Sequence, residues 1–309
     1  MEANKSPSFV SAVVYVRNAA GHIEAFLNML HDTLHSRFAH FELICVDDGS
    51  ADESVSVIKH CADALSDCAV SVVRLAGYQG LETAMNAGVD LAIGDFIYEF
   101  DRSLADYPPD LILQVYERAL QGYDIVAAGN RRPRASSRLF YRLLNKNASV
   151  QYKLTTDTFR ILSRRALNRV RSMSRTTPYR KILYANCGLN TDLLYYESSG
   201  RQLSYEKQEA AGRRNTGIDT VIIFTDLAYK IALFMTVLMM LATLAAVVYT
   251  LVVFLTGSPV PGYTTIMLVV SGCFFMLFAI LSVVIRYLSV LVQLVFRQNR
   301  YVVLSVDKM

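Results

Sequence analysis

The stretch FELICVDDGS, residues 41–50, decides the fold class of this chain. Its apolar run from Phe41 to Val46 has the length and composition of a strand, which ends abruptly in two carboxylates and a turn. Residues 54–65 then have the apolar spacing of a helix. In an open α/β sheet, ligands bind just beyond the carboxyl ends of the strands. Asp47 and Asp48 therefore either belong to a polar strand-to-helix loop or hold a ligand, and this stretch alone leaves both interpretations open.

Strand and helix patterns alternate on both sides of this turn. We predict strands at 9–16, 41–46, 70–75, 96–100 and 125–128, and helices at 22–34, 54–65, 81–92 and 109–120. Strands separated by helices of this length indicate an α/β fold with a doubly wound, mostly parallel sheet. The part of the chain with this pattern is long enough to bury one hydrophobic core and fold as a domain.

The apolar residues, 53% of the chain, are concentrated near its end. Residues 231–255 and 264–285 contain no charged side chain, and each run exceeds the roughly 20 residues that a helix needs to cross a bilayer. Lys and Arg flank the pair of runs on both outer sides, and positive charge marks the cytoplasmic side of a membrane protein. The sequence therefore predicts a two-helix transmembrane hairpin with both ends of the chain in the cytoplasm.

A strongly basic section separates the α/β pattern from the apolar runs. Residues 131–191 contain 15 Lys and Arg and a single acid, Asp157. Such a section favours anionic partners, which could be lipid phosphates and headgroups or nucleic acid, although a solvated basic face without a specific ligand remains open. The neighbouring apolar runs favour lipid.

The fourth predicted strand repeats the pattern of the second. Residues 96–100 run into Asp101, and Asp106 follows before a proline pair. Parallel strands end at the same edge, so these acids should lie near Asp47 and Asp48, where like charges repel unless a cation or hydrogen-bond donors compensate. A divalent cation beside a diphosphate would satisfy such a cluster, because Mg²⁺ and Mn²⁺ prefer oxygen ligands.

The histidines and cysteines give no metal-site pattern. The five cysteines lack metal-ligand spacing, and His31 and His35, four residues apart on a predicted helix, have no suitably placed acid in sequence. We interpret them as surface or packing residues.

Taken in order, these motifs resemble one family. The strand followed by DDGS, the D-x-x-L-x-D-x-P-P segment from Asp101, FYRLLN at 140–145, TFRILSRR at 158–165 and two terminal apolar spans resemble the polyprenyl-phosphate sugar transferases of glycosyltransferase family 2. The resemblance covers essentially the whole chain. It implies a GT-A-like nucleotide-sugar domain that transfers a sugar from a nucleotide-diphospho-sugar to a polyprenyl phosphate at the cytoplasmic membrane face, inverting the anomeric carbon, with Mg²⁺ or Mn²⁺ as cofactor.

The resemblance also implies roles for individual residues. Asp101 matches the first acid of an Asp-x-Asp element that binds the metal and the donor diphosphate. The implied donor-binding residues are Tyr15, Arg17, Asp47, Asp48, Asp101 and Ser103, the catalytic residues Asp101, Asp106 and Asp157, and the acceptor-phosphate residues Arg131, Arg134 and Arg160.

The chain departs from the family pattern at several of these positions. Ser103 replaces the second acid of Asp-x-Asp, Tyr107 is a one-residue insertion, Thr158 replaces an acid that Asp157 precedes, and Ala19 replaces a glutamate. Two alternatives therefore stay open: a transferase with another lipid-linked acceptor, and a catalytically impaired membrane-attached protein that binds sugar nucleotides or acts as a scaffold. A nucleic-acid binder ranks last, because no binding motif accompanies the basic section, and no nucleic-acid partner is expected.

These features divide the chain into three parts. We predict a cytoplasmic glycosyltransferase domain at 1–212 with its acceptor-facing section at 131–191, a juxtamembrane amphipathic helix at 213–230, and a transmembrane hairpin with a short tail at 231–309. The expected location is the bacterial inner membrane, and a homo-oligomer is compatible with the resemblance and with the apolar hairpin.

Overall fold

A computed structural model describes residues 5–65, 67–133, 135–147, 152–173, 179–198, 207–224 and 303–308, together with scattered helical residues between 234 and 291. The chain divides into two compact units. The first comprises residues 1–146, 150–217 and 297–309, and the second comprises residues 147–149 and 218–296. The sheet and all residues of the candidate site belong to the first unit.

A mixed sheet forms the centre of the first unit. Its strands are β1 Ser6–Val16, β2 Phe38–Asp47, β3 Ala69–Leu75, β4 Phe96–Phe100, β5 Ile125–Asn130, β6 Asp157–Ser163, β7 Thr191–Tyr196 and β8 Val303–Lys308. Their order is β7-β5-β6-β4-β1-β2-β3-β8. Within the described residues, four neighbouring pairs are parallel and three, all involving β6 or β8, are antiparallel. The predicted α/β class is confirmed, with a more mixed sheet than the sequence indicated.

Helices cover both faces of the sheet. They are α1 Ile23–Arg37, α2 Ser54–Ala64, α3 Leu81–Leu91, α4 Asp110–Leu120, α5 Ala135–Asn147, α6 Arg164–Met173, α7 Arg180–Asn186 and α8 Lys207–Phe224. Side chains of α1, α2 and α4 pack on one face of the sheet, whereas side chains of α3 and α6 pack on the other. The alternation expected for a doubly wound fold is therefore present.

The central strand β1 is almost wholly apolar from Phe9 to Val16, and its burial explains why. Ala12 and Val14 belong to the core beneath α1, α2 and α4, while Val13 and Tyr15 belong to the core beneath α3. Both faces are buried, so both sets of alternating positions are apolar. Helix α3 approaches closely because Gly88 lacks a side chain: a Cβ there would lie 2.4 Å from Val13 Cγ1.

The main departure from the predicted topology is β6, which lies between β4 and β5 and runs antiparallel to both. The sequence analysis did not assign β6, β7, α6 or α7, because the basic residues of this section obscure its apolar periodicity. The reversed direction has a consequence for the site. It brings the start of β6, at Asp157, to the edge at which β4 ends.

The predicted membrane segments lie almost entirely outside the described residues. The part of the chain that the structure describes contains no helix long and apolar enough to cross a membrane. The runs at 231–255 and 264–285 are represented only by scattered helical residues. The predicted juxtamembrane helix overlaps α8, which begins earlier, at Lys207, and ends at Phe224, and residues 225–230 lie outside the described residues.

Candidate active site

The carboxyl ends of β1, β2 and β4 form one edge of the sheet. Strand β1 lies between the other two, and its register pairs Val16 with Asp47 and Val14 with Phe100. Two strand spacings separate β2 from β4, so the turns that follow them lie roughly 10 Å apart. The structure therefore brings the DDGS turn and Asp101 to the same edge, one on either side of β1.

Asp48 is buried and fixes the turn after β2 to the loop before α3. Its Oδ2 accepts hydrogen bonds from Tyr15 Oη at 3.0 Å and from the Gly80 amide at 2.9 Å, and its Oδ1 accepts one from the Gln79 amide at 2.6 Å. Burial raises the pKa of Asp48 from its ordinary value, and these hydrogen bonds act in the opposite direction. Asp48 thus holds the predicted donor-binding residue Tyr15 in place.

Gly49 and Arg17 complete this turn. Gly49 has a φ of +69°, and a Cβ there would lie 2.7 Å from the carbonyl carbon of Gly77, so only glycine fits without a shift of the backbone. Arg17 Nη1 donates to the carbonyl oxygens of Asp48 at 2.6 Å and Gly49 at 3.1 Å. Its guanidinium lies over the Tyr78 ring, 4.4 Å from the centroid.

The loop after β1 is bonded to the turn after β2. The Asn18 amide donates to Ser50 Oγ at 3.0 Å, and the Ala19 amide donates to Ser54 Oγ at 2.7 Å. Asp47 Oδ1 accepts from the Ser50 amide at 3.2 Å. Ala19, where the family pattern has a glutamate, is buried. At this edge, a small buried apolar side chain therefore stands where the family pattern has a carboxylate.

A buried network of charged side chains, here named the ion cluster, lies where β4 and β6 meet α7. Its members are Glu99, Asp101, Asp157, Arg160, Arg180 and Lys181. Arg160 is its centre and is 1% exposed. Its Nη1 donates to Glu99 Oε2 at 2.6 Å, its Nη2 to Asp101 Oδ2 at 2.8 Å, and its Nε to Asp157 Oδ2 at 2.9 Å. Each nitrogen of one guanidinium thus serves a different carboxylate.

Helix α7 supplies the other two cations. Arg180 Nη2 donates to Asp101 Oδ1 at 3.0 Å, and its Nε donates to Glu82 Oε2 at 2.9 Å. Lys181 Nζ donates to Asp157 Oδ1 and lies 4.0 Å from Asp101 Oδ2. Both oxygens of Asp101 therefore accept hydrogen bonds from guanidinium groups.

The cations determine the charge state of the buried acids. Burial by itself would raise the pKa of Asp101, but the neighbouring Arg160, Arg180 and Lys181 hold that pKa well below its ordinary value. The pKa of Asp157 is lowered in the same way: burial and Asp101 raise it, and Arg160 and Lys181 outweigh them. Both carboxyl groups are therefore ionised at neutral pH.

A bulge in β6 explains how Asp157 takes its position one residue before the family's acid. Gly129 of β5 pairs with Asp157, while the preceding residue pairs with Phe159, so Thr158 is an extra residue on β6. Side chains on a strand alternate between its faces, and an extra residue reverses that alternation. The bulge therefore lets Asp157 reach Arg160 on the same side of the strand.

Asp106 faces away from the ion cluster, towards β7. Its Oδ1 accepts a hydrogen bond from Tyr196 Oη at 2.8 Å, and its Oδ2 accepts one from Ser198 Oγ at 2.9 Å. The inserted Tyr107 packs its ring against Phe159 and Tyr196, with centroids 4.6 and 5.6 Å away. The insertion is thus absorbed by the core, and the predicted catalytic Asp106 is held by two hydroxyl donors.

We tested whether these residues would hold a divalent cation. Asp101, the predicted metal ligand, has both oxygens occupied by guanidinium donors. Ser103 offers only a neutral hydroxyl, which lies 3.2 Å from His22 Nε2. Mg²⁺ and Mn²⁺ require several oxygen ligands, of which at least one or two are carboxylates. As arranged, these side chains do not fit a metal ion, and the Mg²⁺ or Mn²⁺ cofactor stays a prediction.

The three arginines predicted to bind the acceptor phosphate are not brought together. Arg131 is exposed, with Nη1 4.0 Å from Glu197 Oε1. Arg134 lies outside the described residues. Arg160 is enclosed by carboxylates in the ion cluster, so its guanidinium has no hydrogen-bond donor directed at a phosphate on the surface.

Helix α5 presents basic and apolar side chains to solvent together. Arg138 and Arg142 are exposed, as are Leu139 and Leu143, and each pair is spaced four residues apart on one side of the helix. On the inner side, Tyr141 Oη lies 2.7 Å from Tyr179 Oη and accepts a hydrogen bond from Lys181 Nζ at 3.4 Å. Helix α5 therefore connects an exposed basic surface to the ion cluster.

Five residues of the site have no role predicted from the sequence: Glu82, Glu99, Arg180, Lys181 and Tyr184. One of them had a signal: Glu99 interrupts an otherwise apolar strand, and a charge in a buried strand requires partners. Those partners are Arg160, Arg180 and Tyr184, whose Oη donates to Glu99 Oε1 at 2.6 Å. Their identities could not be read from spacing, because they follow about 60 to 85 residues later.

Residues 11–181, which include the DDGS turn and the whole ion cluster, match the family model described as glycosyl transferase family 2. The chain belongs to glycosyl transferase family 2. It is therefore a glycosyltransferase, and similar proteins are named as glycosyl or glucosyl transferases. One of them, a bactoprenol glucosyl transferase of Shigella phage SfV, is 26% identical over 269 residues, which cover 84% of this chain and 86% of the relative.

Solved structures share the fold at low sequence identity. Glucosyl-3-phosphoglycerate synthase from Mycobacterium tuberculosis, in complex with phosphoglyceric acid, has a TM-score of 0.50 at 16% identity, covering 70% of this chain and 79% of that chain. A mannosyltransferase from Pyrobaculum calidifontis, in complex with GDP-Man and Mn²⁺, has a TM-score of 0.48 at 15% identity, covering 95% and 89%. At this identity, the similarity to the synthase shows the fold alone.

Proposed function

We propose that this glycosyltransferase moves a sugar from a nucleotide-diphospho-sugar to a polyprenyl phosphate at the cytoplasmic face of the membrane, with inversion at the anomeric carbon. The observation that carries the proposal is the edge of the sheet at which the DDGS turn lies beside the ion cluster, which contacts the basic helix α5 through Lys181 and Tyr141. A relative named bactoprenol glucosyl transferase, similar over most of both chains, supports the same acceptor class.

The donor would lie along the edge from the DDGS turn to the ion cluster. The turn is held rigidly by Asp48, Gly49 and Arg17, so its polar groups need no rearrangement to meet a nucleoside. The ion cluster lies roughly 10 Å away, across β1. That separation suits a nucleoside at one end and a diphosphate at the other.

The acceptor would approach over helix α5. Its exposed arginines favour anionic lipid headgroups, and its exposed leucines favour the apolar layer beneath them, which is the pattern of a helix lying at a membrane surface. Lys181 of the ion cluster donates to Tyr141 of α5, so this surface of α5 is connected to the ion cluster. A polyprenyl phosphate could therefore keep its tail in the bilayer while its phosphate reaches the ion cluster.

The chemistry needs little proton transfer. An oxygen of the acceptor phosphate attacks the anomeric carbon, the bond from that carbon to the donor diphosphate breaks, and a nucleoside diphosphate leaves. The acceptor phosphate is already an anion at neutral pH, so a strong general base contributes little. The residues' main task is to orient two anionic groups, and orientation alone can supply a large part of a rate enhancement. A single in-line displacement inverts the carbon.

The membrane location rests on the apolar runs and on the path of the backbone. The runs at 231–255 and 264–285 have the length and composition of membrane spans. Strand β8, which follows them in sequence, pairs antiparallel with β3 inside the first unit. Residues 218–296 lie in sequence between two parts of the first unit, which is compatible with an even number of membrane crossings. We propose an integral protein of the inner membrane with its catalytic domain and both termini in the cytoplasm.

One assay tests the proposal. The purified full chain is mixed in detergent with undecaprenyl phosphate and a panel of UDP-, GDP- and dTDP-sugars labelled in the sugar, with Mg²⁺, with Mn²⁺ and with a chelator. We expect one donor to give label that partitions with the lipid. Asp101→Asn should lower that transfer at least about a hundredfold, because the neutral side chain no longer balances the guanidinium groups that surround it.

A matched variant controls for changes unrelated to the site. Asp63 is an exposed acid on α2, and Asp63→Asn should transfer label at the wild-type rate. If no donor labels the lipid although the protein binds a nucleotide, the transferase proposal is wrong. The metal arms show separately whether Mg²⁺ or Mn²⁺ is required, and the anomeric configuration of the labelled lipid shows whether the reaction inverts.

A second function is favoured by one specific observation. The Asp-x-Asp position holds Asp101 with both oxygens bonded and a neutral Ser103. A membrane-attached protein that binds sugar nucleotides without turnover would tolerate that arrangement. Nucleotide binding that resists Asp101→Asn, with no transfer to undecaprenyl phosphate or to a lipid-linked saccharide, would favour this alternative.

A further inference from the structure

A second cluster of chemistry-bearing side chains lies at the opposite edge of the sheet. Helix α1 ends directly before β2, and the turn after α2 ends directly before β3. His31 and His35 of α1 and Asp67 and Cys68 of that turn therefore meet at the amino ends of these strands. Strand β2 has ten residues, so roughly 30 Å separates this cluster from the DDGS turn at its other end.

Three of these side chains place their ligand atoms close together, and the fourth, His35, contacts Asp67. His31 Nε2 lies 2.8 Å from Asp67 Oδ1, and His35 Nε2 lies 3.1 Å from Asp67 Oδ2. The ligand atoms of His31, Asp67 and Cys68 all lie within 4.8 Å of one another. The two imidazole rings are nearly parallel, with centroids 5.6 Å apart, as expected for residues four apart on a helix.

An independent contact orients His31. Its second ring nitrogen, Nδ1, lies 3.1 Å from Asp32 Oδ1. Histidines that bind metals almost always donate their other ring N–H to a carboxylate, a carbonyl or water, which fixes the tautomer that leaves the first nitrogen unprotonated. His31 also packs against the Phe41 ring at 5.6 Å, so its imidazole has a fixed position. The contact with Asp32 is the arrangement that a ligand nitrogen at Nε2 requires.

We propose that His31, Asp67 and Cys68 form a binding site for a zinc ion, with His35 as the fourth ligand once its half-exposed side chain rotates towards them. Two imidazole nitrogens, one carboxylate oxygen and one thiolate sulfur are four ligands of the types that Zn²⁺ takes in tetrahedral sites. Harder cations such as Mg²⁺ and Ca²⁺ prefer oxygen, so the set selects zinc over them. Four protein ligands leave no open position. The site therefore has a structural role, holding α1 to the turn between α2 and β3.

Two side chains must move for the ion to bind: His35 has to rotate towards the other three residues, and Asp67 has to shift away from His31. With bonds of about 2.0–2.3 Å, tetrahedral ligand atoms lie roughly 3.4 Å apart, whereas His31 Nε2 and Asp67 Oδ1 are 2.8 Å apart. Asp67 and His35 are about half exposed and have room to move by that difference. Lys5 Nζ, 3.3 Å from His35 Nε2, would withdraw. Binding releases the thiol proton of Cys68 and any proton on the two Nε2 atoms to solvent.

Metal titration of the full chain tests the site. Protein stripped with a chelator is titrated with Zn²⁺ against a chromophoric competitor, and separately with Co²⁺ while its absorption is recorded. We expect one zinc per chain, a higher melting temperature with zinc, and a thiolate-to-cobalt charge-transfer band. Cys68→Ala should remove that band, and His35→Gln should weaken zinc binding at least about tenfold. Asp32→Asn should weaken it about 10- to 100-fold by releasing His31.

Matched variants and an assay of sugar transfer distinguish loss of the zinc site from loss of the fold. His60→Gln changes an exposed histidine on α2, and Cys187→Ser changes a cysteine elsewhere in the fold, so both should bind zinc as the wild type does. Because His35 is half exposed, His35→Gln should fold even if Cys68→Ala does not. Wild-type protein that binds no stoichiometric zinc, or equal affinity in wild type and His35→Gln, would overturn the proposal. Sugar transfer should be unchanged in His35→Gln, so failure of this site and failure of the transferase proposal are distinguishable.

Discussion

Replacing Arg160 by methionine should destabilise the first unit more than any surface ion-pair change. Arg160 is 1% exposed and donates from three nitrogens to Glu99, Asp101 and Asp157. Methionine has a similar length but removes the charge and all three donors, and Arg180 and Lys181 remain as the cations of the cluster. Removing one partner of a buried ion pair costs about 3–5 kcal/mol. At about 2–4 °C per kcal/mol for a domain of this size, the melting temperature should fall by roughly 6–20 °C.

Circular dichroism of the full chain is the appropriate measurement, because the sequence contains no tryptophan. The matched control is Arg118→Met, which removes a partly exposed pair with Asp192 that solvent screens, so its melting temperature should change far less. Without Arg160 the ion cluster has three acids and two cations, so adding Glu99→Gln to Arg160→Met restores its charge balance and should recover part of the loss. If Arg160→Met melts within about 2 °C of Arg118→Met, or if Glu99→Gln gives no recovery, the ion cluster does not stabilise the fold as argued.

Three further predictions follow from the same edge of the sheet. Gly49→Ala should lower the free energy of unfolding by more than about 1 kcal/mol, because alanine at a φ of +69° is strained and its Cβ would lie 2.7 Å from Gly77. Thermal melts measure this, and the control Gly21→Ala, which has no atom within 4 Å of the new Cβ, should be nearly neutral. Asp48→Asn should lower the free energy of unfolding by about 1–3 kcal/mol, since one amide oxygen replaces two carboxylate oxygens that accept three hydrogen bonds. It should also weaken nucleotide binding measured by calorimetry. Unchanged binding would show that Asp48 does not contribute to the donor site. Because the pKa values of Asp101 and Asp157 are lowered in the folded state, their stabilisation is present above the unfolded value near about pH 4 and is lost as pH falls towards the folded values. Melting temperatures measured between about pH 7 and pH 3 should show that loss in wild type and less of it in Asp101→Asn, and equal profiles would contradict the assignment.

The parallel half of the sheet could be predicted from the sequence. Strands β1 to β4 are largely buried on both faces, so apolar residues predominate in each of them, and α1 to α4 have clear helical spacing. Because parallel strands end at the same edge, the positions of Asp47, Asp48 and Asp101 followed from that pattern. The location of strand ends is a local property, and local sequence determines it.

The antiparallel half could not be predicted in the same way. Strand β6 and helices α5 to α7 lie in a section where 15 basic residues interrupt the apolar periodicity. The direction of β6 depends on which strands it pairs with, and pairing depends on contacts distant in sequence. The bulge at Thr158, which carries Asp157 to Arg160, has no signal in spacing alone.

The sequence by itself determined the family, the class of fold and the acidic edge, because these depend on strand patterns and on short motifs that local residues define. It also determined the apolar runs on which the proposed membrane location rests. Only the tertiary structure decided what surrounds the acids: Asp101 is held by Arg160 and Arg180, and Asp48 by a tyrosine and two amides. It alone placed Asp67 and Cys68 beside His31 and His35. Burial and ion pairing depend on contacts between residues that are distant in sequence and meet only in the folded chain, so sequence patterns alone do not predict them.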